Sequence, residues 1–198
     1  MQYEFYALLG RMRYITRWGL MRNNITENLT EHSYDTAVTA HALAVIGKEK
    51  FGRDIDPGQI AAVALFHDAS EIVTGDMPTP VKYHNPEIRE AYKSIEHAAG
   101  DSLLRMLPEE LQPHYRVLFA FEADNPELYR YVKAADKISA YIKCVEELRG
   151  GNDEFRRAAV QTREAIAKMG LPEADYYMEQ FAPAFSLSLD DLQEEETI

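Results

Sequence analysis

Apolar residues recur every three or four positions along most of the chain, which is the period of a helix with one buried face. The longest such run follows Asn85 and consists of Ile88, Tyr92, Ile95, Ala99, Leu103 and Met106. Another follows Asn125 and consists of Leu128, Val132, Ala135, Ser139 and Ile142. The strict alternation that predicts a half-buried strand is convincing in no segment. The pattern therefore predicts an all-α fold.

Aspartate or asparagine followed by proline marks three predicted helix starts, because the first side chain can cap the helix and proline fits its first turn. These pairs are Asp56-Pro57, Asn85-Pro86 and Asn125-Pro126. Thr30 is the predicted N-cap of a further helix. The predicted helices cover the first fifteen residues, 30–50, 57–73, 86–106, 126–149, 153–168 and 173–181. We expect loops at 16–29 and 74–84.

Length and composition predict an ordinary globular protein. The chain has 198 residues, of which 46% are hydrophobic and 27% charged, so we expect a single domain over 1–198. The formal net charge of −12 argues against binding to long nucleic acid, which needs a basic surface. Residues 190–198 are strongly acidic and are predicted to be a solvated tail.

The cysteine count and the hydropathy of the chain indicate the cellular compartment of the protein. Cys144 is the single cysteine, so the chain can form no internal disulfide, and a metal site would have to use histidines and carboxylates. No apolar run approaches the roughly 18 residues of a membrane span. The first residues lack the basic-then-apolar order of a secretion signal. We therefore expect a cytoplasmic protein that is not in a membrane.

Candidate chemistry is concentrated in the stretch ALFHDASE. His67, Asp68 and Glu71 would project from adjoining parts of one face of the predicted 57–73 helix. Taken alone, such a pair is more often a histidine hydrogen-bonded to a carboxylate than a metal site. Two further residues favour a metal site over a simple hydrogen-bonded pair. They are His32, near a predicted helix start, and Asp136, beside the apolar position Ala135.

A carboxylate buried at the position of Asp136 would need a cationic partner. The predicted core positions offer no obvious lysine or arginine. A divalent ion held by His32, His67, Asp68 and Asp136 would satisfy every one of these groups. Two imidazoles and two carboxylates suit Co²⁺, Mn²⁺, Zn²⁺, Fe²⁺ or Ni²⁺.

The order His, then His-Asp, then Asp on three predicted helices resembles the HD superfamily of metal-dependent phosphohydrolases. Flanking residues narrow the resemblance. They are Arg17-Trp18, Glu27-Asn28, Glu31-His32-Ser33, His67-Asp68, Glu71, the run Gly75 to Lys82, and Lys133 to Asp136. With these, the chain is similar to the bacterial 5′-deoxynucleotidases of the YfbR type, from its first helix to Ser186–Asp190.

The resemblance implies a single helical HD domain, usually a homodimer, that removes the 5′-phosphate from deoxyribonucleoside 5′-monophosphates. It implies one divalent metal ion, with Co²⁺ effective and Mn²⁺ or Zn²⁺ possible. The carried-over metal ligands are His32, His67, Asp68 and Asp136. The ion's expected task is to bind a phosphate oxygen and to acidify a bound water.

The resemblance also implies roles for other side chains. Glu71 would be the general acid/base, and Arg17 would orient the phosphate as a second catalytic residue. Asp76 would contact the sugar 3′-hydroxyl and leave no room for a 2′-hydroxyl. The substrate-binding set carried over is Arg17, Trp18, His32, Asp68, Asp76, Met77, Pro78 and Thr79.

Two alternatives stay open at the level of sequence. One is an HD phosphohydrolase for a triphosphate, a cyclic nucleotide or an alarmone, although we find no basic cluster in the sequence of the kind that a triphosphate favours. The other is a non-catalytic helical sensor that retains a metal.

We expect Lys82 and Arg22 to be surface residues. The remaining histidines, His41, His84, His97 and His114, are expected in packing or surface roles, which favours one metal ion over two.

Overall fold

The computed structural model describes residues 2–82 and 84–193. Within these ranges the chain is helical, with one isolated β-bridge between Thr16 and Asn28 and no strand. The helices are α1 (Phe5–Leu9), α2 (Leu29–Phe51), α3 (Pro57–Phe66), α4 (Glu71–Thr74), α5 (Thr79–Lys82), α6 (Pro86–Leu104), α7 (Gln112–Phe119), α8 (Phe121–Asp124), α9 (Pro126–Arg149), α10 (Arg156–Lys168), α11 (Pro172–Gln180) and α12 (Leu189–Gln193). Short 3₁₀ segments are Gly10–Tyr14, Asp153–Phe155 and Ala182–Ser186. The all-α prediction is confirmed. Residues 194–198 of the predicted tail lie outside the described part of the chain.

The centre of the fold is formed by α2, α3 and α9, which pack against one another. Small side chains at the contacts, such as Ala40, Ala64 and Ala135, let the helix backbones approach closely. The larger fully buried side chains of this core are Leu43, Ile60, Val63, Val132 and Ile138. Because α2 and α9 also carry His32 and Asp136, the packing that builds the core brings these residues together.

Helix α2 begins with a capping box, two residues earlier than predicted. The side chain of Asn28 accepts hydrogen bonds from the backbone amides of Thr30 and Glu31, and Glu31 in return accepts one from the Asn28 amide. Thr30 as N-cap was therefore wrong. Both residue types cap helices well, and the reciprocal glutamate at the third helical position favours Asn28. His32 consequently lies in the first turn of a firmly started helix.

The predicted 57–73 helix is interrupted. Helix α3 ends at Phe66, residues 67–70 form turns, and the short α4 follows. In this segment the amides of Ala69 and Glu71 donate to carbonyls three residues back, a tighter winding than that of an α-helix. The segment ends at Gly75, whose φ of +72° favours glycine. The break places His67 and Asp68 at a bend instead of inside a straight helix.

The long helices α6 and α9 match their predicted ranges, which confirms the predictions made from the apolar periodicity. Asn85 caps α6 by accepting from the Ile88 amide, whereas Asn125 begins α9 without a side-chain cap. The left-handed residue after α9 is Gly151, with φ +79°. Among the described residues, no helix combines the length and apolar character that crossing a membrane requires.

Candidate active site

His32 is the most deeply buried polar side chain of the site. It is fully buried on α2, and its Nε2 lies 3.1 Å from Asp136 Oδ1 and 3.5 Å from Asp68 Oδ2. Its other ring nitrogen, Nδ1, lies 3.3 Å from the hydroxyl of Ser139 on α9. Ser139, which appears in the sequence as a polar gap in an apolar stripe, thus fixes the ring of His32 from behind.

His67 is held in one orientation by the bend that follows α3. Its Nδ1 lies 2.6 Å from the carbonyl oxygen of Ala64, which can only accept, so Nδ1 carries the proton. Its Nε2 is directed at the cluster, 3.1 Å from Asp68 Oδ2. That separation lacks the alignment of a hydrogen bond, and Nε2 is a buried nitrogen without a hydrogen-bond partner among the described residues. Burial alone would lower the pKa of His67, but the carboxylates, Asp68 foremost and then Asp136, outweigh it and raise the pKa to about 9.

The donor set suits a divalent ion. One ligand atom from each of His32, His67 and Asp68 lies within 4.8 Å of the others, and Asp136 adjoins this group at His32. Burial alone would raise the pKa of Asp68, but His67 and His32 outweigh it and lower the pKa below its usual range. The expectation that Asp136 is buried was wrong: its side chain is 37% exposed, because it faces a cavity.

Glu71 is a buried carboxyl group next to this cluster. It is 5% exposed at the start of α4, and its Oε2 has no hydrogen-bond partner among the described residues. Burial, together with the charges of Asp68 and Asp76, raises the pKa of Glu71 well above its ordinary value. Lys82 Nζ, 3.9 Å away, acts in the opposite direction. Such a carboxyl holds a proton more readily than an exposed one.

Arg17 lies among carboxylates at the edge of the cluster. Its Nη1 is 3.6 Å from Asp68 and 3.9 Å from Asp76, and its Nε donates to Glu27 at 3.1 Å. Burial opposes its charge, but these carboxylates and Asp136 outweigh burial and raise the pKa of Arg17. The predicted residues Arg17, Asp68 and Asp76 are thus brought together.

A cavity of about 520 Å³ opens in front of His67, Asp68 and Asp136. The basic side chains in its wall are Lys82, Arg89, Lys93, Arg116, Lys133 and Lys137. Lys82 was wrongly expected to be a surface residue; its Nζ donates to Glu96 at 2.8 Å. These cations come from α5, α6, α7 and α9, so no basic cluster is visible in the sequence. The same wall carries five carboxylates, so its charge is mixed: Asp68, Glu96, Asp101, Glu122 and Asp136.

Other predicted residues lie away from this cavity. Met77 and Pro78 are half-buried between α4 and α5, and neither belongs to the cavity wall. Thr79 begins α5, and its side chain lies outside the described part of the structure. Arg22 is a surface residue as predicted, 83% exposed. The four remaining histidines are exposed, as expected, although His97 also lines the cavity.

Comparisons with known proteins agree with this geometry. Residues 4–185 match a family model described as 5′-deoxynucleotidase YfbR-like. A protein of Yersinia pestis (strain Pestoides F) named 5′-deoxynucleotidase is 48% identical over 189 residues, which cover 96% of either chain.

Two solved structures share the fold. An HD-domain phosphohydrolase from Listeria innocua has a TM-score of 0.79 and 24% identity, covering 92% of this chain and 88% of that one. The HD phosphohydrolase of cyanophage S-2L, bound to dA and one catalytic Zn²⁺ ion, has a TM-score of 0.67 and 21% identity, covering 89% and 95%. The arrangement of helices around the cluster is therefore one that HD phosphohydrolases share.

Proposed function

Because the chain belongs to the YfbR-like 5′-deoxynucleotidase family, we propose that it removes the 5′-phosphate of deoxyribonucleoside monophosphates at the cluster of His32, His67, Asp68 and Asp136. The observation that carries this placement is the buried Nε2 of His67, which faces the cluster with no hydrogen-bond partner among the described residues. A buried nitrogen of this kind costs stability unless something binds it. A metal ion is the partner that its surroundings suit.

The four side chains would hold one divalent ion. Two neutral imidazoles and two carboxylates favour Zn²⁺, Co²⁺ or Mn²⁺ over Ca²⁺. The Zn²⁺ ion of the cyanophage phosphohydrolase supports this choice of metal class. When bound, the ion would neutralise phosphate charge and make a water acidic enough to react near neutral pH. Ser139 and the Ala64 carbonyl would keep the two imidazoles in ligating orientation.

Cationic side chains on two sides would bind the phosphate. Arg17 presents Nη1 beside Asp68, and Lys82 reaches the cavity wall within 3.9 Å of Glu71. A guanidinium and an ammonium can together stabilise charge that builds up on phosphate oxygens. Glu71, whose raised pKa favours a proton, would exchange that proton with the reacting water or the leaving group.

The nucleoside would lie on the side of Arg17, Trp18 and Asp76. The carboxylate of Asp76 can accept a hydrogen bond from the sugar 3′-hydroxyl, and a position filled by that carboxylate would exclude a 2′-hydroxyl. Its distance of 3.9 Å from Arg17 supports a place beside the phosphate. Met77, Pro78 and Thr79 would continue the pocket wall.

We further infer that the chain acts as a homodimer in the cytoplasm. Tyr34, Val38 and Val45 are exposed by 64%, 52% and 37% and share one face of α2, since they are four and seven residues apart. This apolar face supports self-association. The single buried thiol of Cys144 supports a reducing compartment. Light scattering at defined concentration measures the first inference directly.

A substrate panel tests the proposed reaction. Phosphate release is measured from matched 5′-deoxynucleotides, 5′-ribonucleotides and 3′-deoxynucleotides, with deoxynucleoside triphosphates and an alarmone beside them. We expect metal-dependent release from the 5′-deoxymonophosphates. Turnover of triphosphates alone would point to the cations of the cavity wall as a polyphosphate site and would refute the proposal. No turnover by metal-loaded protein would favour a sensor.

A further inference from the structure

One buried carboxylate joins the two side chains that precede the cluster. Glu27 is 8% exposed, and its Oε2 accepts hydrogen bonds from Arg17 Nε at 3.1 Å and from Trp18 Nε1 at 2.8 Å. The backbone adds a third contact, since the Arg17 amide donates to the Glu27 carbonyl at 2.9 Å. Glu27 thus fixes both the direction of the guanidinium and the plane of the indole.

The conformation of Trp18 needs such support. Its φ of +58° is the single positive value at a non-glycine residue in the described part of the chain. A bulky residue in this left-handed region is strained by about 1 kcal/mol or more. Phe155 packs against the indole at 5.3 Å between ring centroids, and Asn23 donates to the Trp18 carbonyl at 3.3 Å. Glu27 supplies the hydrogen bond that selects the indole's orientation.

The bond from Nε also determines what the rest of Arg17 can do. With Nε held by Glu27, Nη1 is left beside Asp68 and Asp76, at the edge of the cluster. An arginine anchored at one nitrogen loses less side-chain freedom when it binds phosphate with the others. We infer that Glu27 is a positioning residue for substrate binding, acting through Arg17 and Trp18. The inference rests on the proposed function, in which these two residues contact the nucleotide.

Fluorescence can follow this positioning directly, because Trp18 is the single tryptophan of the chain. Glu27→Met keeps the length and much of the volume of the side chain but removes both acceptor oxygens. We expect its tryptophan emission to shift and the quenching of that emission by 2′-deoxyadenosine 5′-monophosphate to weaken. The nucleotide Kd should rise by about tenfold or more, as expected for losing a hydrogen bond to a charged group.

Glu27→Gln is the rescue variant. One amide oxygen can accept from both Arg17 and Trp18, so emission, quenching and kcat/KM should return to within about threefold of wild type if geometry is what matters. Glu31→Gln is the matched control. Glu31 bonds only to the start of α2 among the described residues, and glutamine also serves at that capping position, so this variant should behave as wild type.

The outcomes separate this inference from the proposed function. A folded Glu27→Met variant with wild-type emission and quenching would overturn it. If that variant does not fold, Glu27→Asp decides, because the shorter carboxylate cannot reach both donors; unchanged quenching there would also overturn it. If wild-type protein shows neither hydrolysis nor quenching, the proposed function fails. The emission shift of the Glu27→Met variant without nucleotide then still tests whether Glu27 orients Trp18.

Discussion

At the scale of single residues, Glu71 differs from the other acidic side chains near the cluster because one of its oxygens is buried without a hydrogen bond among the described residues. Replacing it with glutamine preserves its shape but removes its ability to exchange a proton. We expect Glu71→Gln to lower kcat by about 10² to 10⁴, while bound metal, measured by mass spectrometry, stays at the wild-type level. Equal loss of metal and activity would instead make Glu71 a ligand.

Asp76 is a second single residue with a testable role, because that proposed role depends on its one carboxylate. In Asp76→Ala, a 2′-hydroxyl gains room and the 3′-hydroxyl loses its acceptor. The ratio of kcat/KM for deoxynucleotides over ribonucleotides should therefore fall by roughly an order of magnitude. Asp175→Ala, which removes an exposed carboxylate on α11 that does not line the cavity, is the control. An unaltered ratio would remove Asp76 from the sugar pocket.

At the scale of elements, the start of α2 determines where His32 lies. Asn28→Ala removes the side chain that accepts from two amides, and we expect a loss of about 1 kcal/mol in the free energy of unfolding. Thr30→Ala is the matched control, because the exposed Thr30 side chain is not the cap, and its effect should stay within about 0.5 kcal/mol. Urea unfolding measures both. The reverse order of effects would restore Thr30 as the cap.

Some helices could be predicted from the sequence, and others could not. The periods that identify α6 and α9 depend on apolar spacing, which is local, so their ranges were predicted well. The break after Phe66 depends on tertiary packing and leaves no mark in the apolar pattern. Helices α7, α8 and α12 were missed, and so was α5 in the predicted loop 74–84, because four to eight residues contain at most two turns of periodicity.

Part of the candidate site could likewise be predicted from the sequence, and part could not. His67 and Asp68 are adjacent in the chain, and Asp136 and His32 follow from their places on predicted helices and from the family resemblance. The cations of the cavity wall come from four separate helices, so their convergence needs the fold. The pairing of Glu27 with Arg17 and Trp18 was likewise beyond sequence reasoning, because a bond across the 16–28 loop depends on the path of its backbone.

At the scale of the whole molecule, Glu147 connects the 16–28 loop to the end of α9. It is fully buried and accepts from the amides of Asn24 and Ile25, from Asn152 Nδ2 and from Lys143 Nζ. Burial alone would raise its pKa, but these donors, Lys143 foremost, lower the pKa of Glu147 to about 2. The charged form is thus strongly favoured in the folded protein.

Stability should depend on pH through this residue. Glu147 titrates near 4.5 when unfolded and near 2 when folded, so its contribution is complete above pH 4.5 and is lost as the pH falls towards 2. The difference between wild type and Glu147→Gln should be at most roughly 3 kcal/mol at pH 7 and should shrink by pH 3. Urea unfolding at several pH values measures it. A difference that grows in acid would contradict this account.

The central claim is that one divalent ion joins α2, the bend after α3 and α9 at the reacting centre. The most direct measurement strips the protein of metal, adds back Zn²⁺, Co²⁺ or Mn²⁺, and records bound metal together with hydrolysis of 2′-deoxyadenosine 5′-monophosphate. We predict that activity returns with one ion per chain and that Asp136→Ala, compared at equal protein concentration, binds less metal and stays inactive. Full activity in stripped protein, or unchanged metal stoichiometry in Asp136→Ala, would contradict the account.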